Sequence, residues 1–292
     1  SEIVEQLESF QISNEFPDTD KPPLPYAEQG TEFRLVGRYT DVAMMSTHGL
    51  WGTSHEFING GDTFGSVGIN ALHITLPGHG SHYGQWRTTH FQDWIREAEA
   101  GLQIARRLGK KIVLIGQSTG ALLSYYLAIK YPDLISGLIL IEPAFKIQTF
   151  QRLTTCIDVF PTLQDMGLLG RLIMGNMSGL NPAPIRLGCE VKHLVEYLLA
   201  NYGESLPFSQ SPDHATWVSA QYKSFFSKLK TPTLVIDSDQ DKVVDRDSIE
   251  YFVSLNPKLV TYVKTPFSHG SALTFSALTS WNLPIELKDY DS

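Results

Sequence analysis

Several things this chain has little of narrow its identity before any motif is read. It holds 2 cysteines in 292 residues, Cys156 and Cys189. That is too few for a disulfide framework and lacks metal-site spacing, so a reducing cytoplasm is the expected setting, with one bridge between the two left open. Positive charge is also short: 23 Lys and Arg against 31 Asp and Glu leave a formal net charge of −8. Nucleic acid is therefore not the expected partner, because phosphate binding calls for clustered cations. No apolar run approaches the roughly 18 residues that would span a bilayer, so stable membrane insertion is not expected. The first residues, Ser1 to Glu5, offer neither the basic region nor the apolar core of a signal peptide, although a chain already trimmed of one would read the same.

What is present is a globular composition, 42 % hydrophobic and 18 % charged, in a length that suits one large α/β domain or two modest ones. Residues 1–30 read as an acidic, proline-punctuated arm: six acids precede the first basic residue, Lys21. Phe33 to Val36 has the pattern of an edge strand. Asp41 to Ser46, Ala71 to Leu76, Lys111 to Ile115, Gly137 to Ile141, Thr231 to Ile236 and Lys258 to Val263 have that of buried strands. Between them lie helical stretches, notably Asp93 to Leu108, with an apolar side of Trp94, Ile95, Ala98, Leu102 and Ala105 and Gly109 as its stop. Such alternation predicts an α/β fold, a mostly parallel sheet flanked by helices on both faces.

The rhythm breaks after Glu142-Pro143. Residues 143–213 show no clear buried strand, only apolar helical pieces broken by Pro161, Gly167, Gly170 and Gly175, with the segment from Asn181 to Pro184 as a hinge-like linker. They are expected to form a helical cap inserted into a core made of residues 31–142 and 214–292. Met166 and Met174 are candidate substrate contacts there, since flexible thioethers suit a variable apolar ligand.

Three stretches carry the chemistry. Residues Lys111 to Ala121 place an aliphatic run before Gly116-Gln117-Ser118-Thr119-Gly120 and an amphipathic helix after it. That puts Ser118 on the sharp strand-to-helix turn called a nucleophile elbow, which needs small neighbours such as Gly116, Gly120 and Ala121. Thr47-His48-Gly49-Leu50-Trp51-Gly52 follows an earlier strand. This loop resembles the oxyanion-hole loop of α/β hydrolases, a resemblance that implies backbone amides of Leu50 and Thr119 receiving an oxyanion, with His48 bracing the loop; Trp51 is a candidate substrate contact. His79 and His82, in and beside Pro77-Gly78-His79-Gly80, read as structural. Asp237, Asp239 and Asp241 crowd the loop after the penultimate strand; Asp241, followed by Lys242-Val243-Val244, is the preferred acid and the other two are competitors. Of the nine histidines, His269 occupies the loop after the last strand and is the candidate base.

With the order Ser118, Asp241, His269 in hand, the chain resembles the α/β-hydrolase superfamily over roughly residues 40–285. Within it, these loops and Leu76-Pro77-Gly78-His79-Gly80 look like the carboxylesterase and monoacylglycerol lipase (lysophospholipase-like) group. It departs at Thr119 and Ala121, where that group commonly carries a hydrophobic residue and a second glycine. The resemblance implies hydrolysis of small-molecule carboxylic esters, short- to medium-chain or monoacylglycerol-like, through an acyl-enzyme, with Ser118, Asp241 and His269 as triad and neither metal nor organic cofactor. Carbon-carbon bond hydrolases and cofactor-free haloperoxidases share the same triad, and non-catalytic small-molecule receptors share the fold; these are the alternatives.

Overall fold

The computed structural model describes residues 30–50, 52–57, 65–79, 88–148, 185–203, 214–266 and 268–269. Seven strands form one sheet: β1 (Glu32–Arg34), β2 (Thr40–Thr47), β3 (Asn70–Ile74), β4 (Gly109–Gln117), β5 (Ile135–Ile141), β6 (Thr233–Ser238) and β7 (Val260–Thr265). Their spatial order is β1-β3-β2-β4-β5-β6-β7. Only β1 runs antiparallel, pairing Phe33 with Leu72 on β3; the other neighbours are parallel. Sequence patterning found each of these strands, with ends displaced by a few residues. The edge strand is the shortest, because Val36 has already left the ladder and donates its N–H to the Asn70 side chain at 2.8 Å.

The helices are α1 (Phe91–Ala105), α2 (Thr119–Lys130), α3 (Ile185–Tyr202), α4 (His214–Phe226) and α5 (Arg246–Leu255). The expected stripe on α1 is buried, with Trp94, Ala98 and Leu102 fully enclosed in the core that also holds Met45, Leu72 and Ile74. It begins two residues earlier than the pattern suggests, since the Asp93 carboxylate accepts the His90 N–H at 2.8 Å and satisfies one amide at the helix entrance. Gly109 does not stop this helix. A turn over residues 106–108 does, and Gly109 opens β4.

Expected to be amphipathic, α2 is instead buried from Thr119 to Ala128. It lies against the sheet and is enclosed on its other side by rings: Tyr125 meets Phe145, Phe225 and Phe252 edge to face, with centroids 5.0 to 5.4 Å apart, and its hydroxyl donates to the Phe225 carbonyl at 2.7 Å. Buried aromatics with a satisfied hydroxyl hold such a helix without needing a polar face.

Within the expected insertion, α3 packs Leu187, Val191, Leu194 and Leu198 into this same core. Its Glu190 accepts the Phe91 N–H at 2.9 Å, joining it to the start of α1. Cys189 on α3 is disulfide-bonded, a state that the sequence left open; Cys156, the other cysteine of the sequence, lies outside the described residues. So do most of the acidic arm, the linker at 181–184, Trp51, His82, Met166 and Met174. Among the described residues no helix is long and apolar enough to cross a membrane.

Gly109 explains how closely β4 enters beside β2. A Cβ there would sit 2.6 Å from the Ala43 nitrogen and 2.9 Å from the Val42 carbonyl carbon, both backbone atoms in a paired strand. Gly109→Ala should therefore cost about 1–3 kcal/mol of stability through overpacking, read as a lower urea midpoint at unchanged m-value.

Candidate active site

In a parallel sheet all strand C-termini open on one edge, where loops can converge. Ser118 follows β4 and adopts φ 52°, ψ −112°, a region costing a non-glycine residue about 1–3 kcal/mol. Backbone bonds hold it there: its N–H donates to Ile141 O at 2.8 Å, and its carbonyl accepts from Ala144 at 3.1 Å and Leu122 at 3.1 Å. The strand and helix meet so tightly that a Cβ on Gly116 would lie 2.5 Å from the Ala121 Cα. The sequence expectation of small residues around the elbow is thus met at Gly116.

His269 and Asp241 arrive from the β7 and β6 loops. His269 Nε2 lies 3.0 Å from Ser118 Oγ, and its Nδ1 lies 2.7 Å from Asp241 Oδ2. A carboxylate can only accept, so Nδ1 carries the proton and Nε2 presents a lone pair to the serine hydroxyl. The other Asp241 oxygen is fixed by the Val243 and Val244 N–H groups at 2.7 and 3.0 Å. The competing acids are engaged elsewhere: Asp237 accepts from Arg246 and from Tyr262 at 2.7 Å, while Asp239 pairs with Arg246 at 2.8 Å.

The loop after β2 stands beside the serine, where a Cβ on Gly49 would come within 3.3 Å of the Ser118 Cβ. His48 braces it: its Nε2 accepts the Leu76 N–H at 2.9 Å, so its Nδ1–H donates to Gly49 O at 2.7 Å. His79, packed at a tilt between the rings of His48 and Trp94, bonds the Leu50 carbonyl. Both histidines are structural, as the sequence suggested, and burial holds both pKa values below the usual imidazole value. Among the described residues the Leu50 amide has no acceptor, nor has that of Thr119, the first residue of α2.

Sequence reading missed two acids. Glu142, at the end of β5, is fully buried with φ 48°; its Oε2 lies 3.4 Å from His269 Nδ1. Glu56 accepts the Gly49 N–H at 3.4 Å, and burial pushes its pKa up to about 7. The sequence signal for Glu142 was present, a carboxylate ending an apolar strand, but it read as the strand's boundary. Glu142, Asp241 and His269 bring candidate ligand atoms within 4.8 Å of one another. A cation there would have to displace the Nδ1–H that already bonds Asp241.

Comparison with known proteins agrees with this fold. A family model described as serine aminopeptidase, S33, matches residues 40–178. A thermostable monoacylglycerol lipase from Bacillus sp. (strain H-257) is 27 % identical over 234 residues, 80 % of either chain. A structure of the metagenome-derived lipolytic enzymes LipS and LipT superposes with a TM-score of 0.65 at 17 % identity, covering 88 % of this chain and 95 % of that one. The ferulic acid complex of Est1E from Butyrivibrio proteoclasticus gives 0.53 at 19 %, covering 86 % and 91 %. The chain has the α/β-hydrolase fold. Its parallel sheet, its elbow after β4 and its loops at one sheet edge are that fold's arrangement.

Burial of His269 opposes its protonation, but the Asp241 hydrogen bond and the charges of Asp241, Glu142 and Glu56 outweigh it and raise its pKa. A folded-state value above the unfolded one means that this group stabilises the fold fully below the unfolded pKa and loses that contribution as pH rises through the folded pKa. In an NMR titration of this protein, His269 should become neutral only above the usual value of about 6.5, and His48 should stay neutral well below it. The reverse order would contradict these environments.

Proposed function

We propose that this α/β hydrolase is a serine esterase that cleaves small carboxylic esters, short- to medium-chain or monoacylglycerol-like, through an acyl-enzyme. The observation that carries the reading is the unbroken relay from Ser118 Oγ through both nitrogens of His269 to Asp241, at 3.0 and 2.7 Å. Ser118 is the nucleophile. As its oxygen bonds to the ester carbonyl carbon, its proton passes to Nε2; Asp241 keeps the ring in the right tautomer and balances the imidazolium. The proton then goes to the departing alkoxide, and a water repeats the sequence to release the acid.

The oxyanion forms where the Leu50 and Thr119 amides lie available, one on the loop braced by His48 and His79 and one at the positive end of α2. One such donor is typically worth about 3–4 kcal/mol of transition-state stabilisation, and the loop that carries the Leu50 amide is held by two buried imidazoles, His48 and His79. Similarity to a monoacylglycerol lipase supports the ester class. Trp51, Met166 and Met174 are proposed as the apolar contacts of the acyl chain.

Ser118→Ala should abolish hydrolysis of p-nitrophenyl butyrate and labelling by a fluorophosphonate while leaving the circular dichroism spectrum unchanged; full-rate turnover by the variant would reject the assignment. Across p-nitrophenyl esters from acetate to laurate, kcat/KM should rise and then fall at one preferred chain length. A flat profile would count against an apolar acyl site.

A further inference from the structure

Glu142 is a costly residue for its position. Its side chain has no exposure and its backbone sits at φ 48°, and its carboxylate accepts hydrogen bonds from neighbouring side chains. The Ser238 hydroxyl donates to Oε1, with Thr265 Oγ1 behind Ser238 at 3.2 Å, and the Gln117 amide donates to Oε2 at 3.3 Å. A neutral glutamine could tie the ends of β4, β5 and β6 together without the expense of burying a charge. A charge there also faces His269, for Oε2 stands 3.4 Å from the same His269 nitrogen that bonds Asp241 Oδ2 at 2.7 Å.

We infer that Glu142 is a second carboxylate partner of His269, a positioning residue that shares with Asp241 the orientation of the imidazole and the balancing of its charge during acyl transfer. This rests on the esterase reading above. At 3.4 Å Glu142 is the minor partner while Asp241 is present, and it becomes the acceptor of Nδ1–H when Asp241 is removed. Proton bookkeeping is unchanged: Ser118 gives its proton to Nε2 as the acyl bond forms, Nδ1 keeps its own, and Glu142 neither gains nor loses one. Three carboxyl groups from three segments bear on the ring among the described residues, Asp241 after β6, Glu142 at the end of β5 and Glu56 after β2.

The test is steady-state hydrolysis of p-nitrophenyl butyrate across pH by the full chain, as wild type, Glu142→Gln, Asp241→Ala and the double variant. Losing a neighbouring charge should move the acid limb of kcat/KM in Glu142→Gln down by about one pH unit, with kcat reduced about threefold and KM unchanged. Asp241→Ala alone should keep at least about a hundredth of the wild-type kcat, above the roughly 10⁴-fold loss known for removing a lone triad acid. Adding Glu142→Gln to it should cost at least about tenfold more, a coupling that a purely structural role would not produce. An unmoved acid limb, or the same factor in both backgrounds, overturns the inference. Should Glu142→Gln fail to fold, Asp241→Ala alone decides: a persistent low-field His269 Nδ1–H proton signal supports a second acceptor, and its loss overturns one. Fluorophosphonate labelling of the wild type tests the esterase reading separately, so labelling without coupling removes only the role of Glu142.

Discussion

The bond on which the arrangement depends is the one between His269 Nδ1–H and the Asp241 carboxylate, because it decides which imidazole nitrogen is free to face Ser118. Neither partner lies on a regular element, so their separation is only as constant as the strands that deliver them. The loops after β6 and β7 are tied together along their length: the Asp239 N–H donates to Thr265 O at 2.7 Å and the Gln240 amide to Pro266 O at 3.0 Å. Asp241 is further clamped by two backbone amides. A hydrogen-bonded relay of this length requires each side chain to be held within a few tenths of an ångström, and positioning of this kind is where much of a catalytic site's effect resides.

Much of this was legible because the signals were local. Four consecutive aliphatics before Gly116-Gln117-Ser118-Thr119-Gly120 dictate a strand that must turn sharply, and the φ of 52° at Ser118 is the result. Strand existence followed from short apolar runs, and the choice of Asp241 from the residues just after it, whose amides bond its side chain. Strand ends were less legible, since the pleat extends as far as a neighbour offers partners; Thr47 continues β2 because Gly116 lies opposite it.

Where sequence reasoning failed, the deciding contacts were distant in the chain. Gly109 reads as a helix stop by local rules, but its bareness serves the backbone of Val42 and Ala43 across the sheet. The elbow helix α2 carries Ser124, Tyr125 and Tyr126, which suggest a polar side. Tyr125 is nonetheless enclosed by residues 100 positions away, with its hydroxyl satisfied by Phe225. Two cysteines left a bridge open by count alone, and only the structure decides that Cys189 is disulfide-bonded. Glu142 is the most instructive, because an acid next to a proline looks like the end of a strand until β4, β6 and the His269 loop are set around it.

The two strained residues of the site are adjacent in space and share their support. Ser118 donates its N–H to Ile141, the residue before Glu142, and Glu142 donates its own to Ile236 on β6. Each of these two positive-φ residues is therefore pinned by the carbonyl of the next strand, in a staircase from β4 to β5 to β6. At about 1–3 kcal/mol apiece, strain of this kind would be relieved by local rearrangement if either residue stood alone. Here the movement of one would break the hydrogen bond of the strand that carries the other. The parallel register thus does more than gather loops at one edge: it couples the elbow to the second carboxylate, so that the serine and the charge facing its histidine are set by the same three strands.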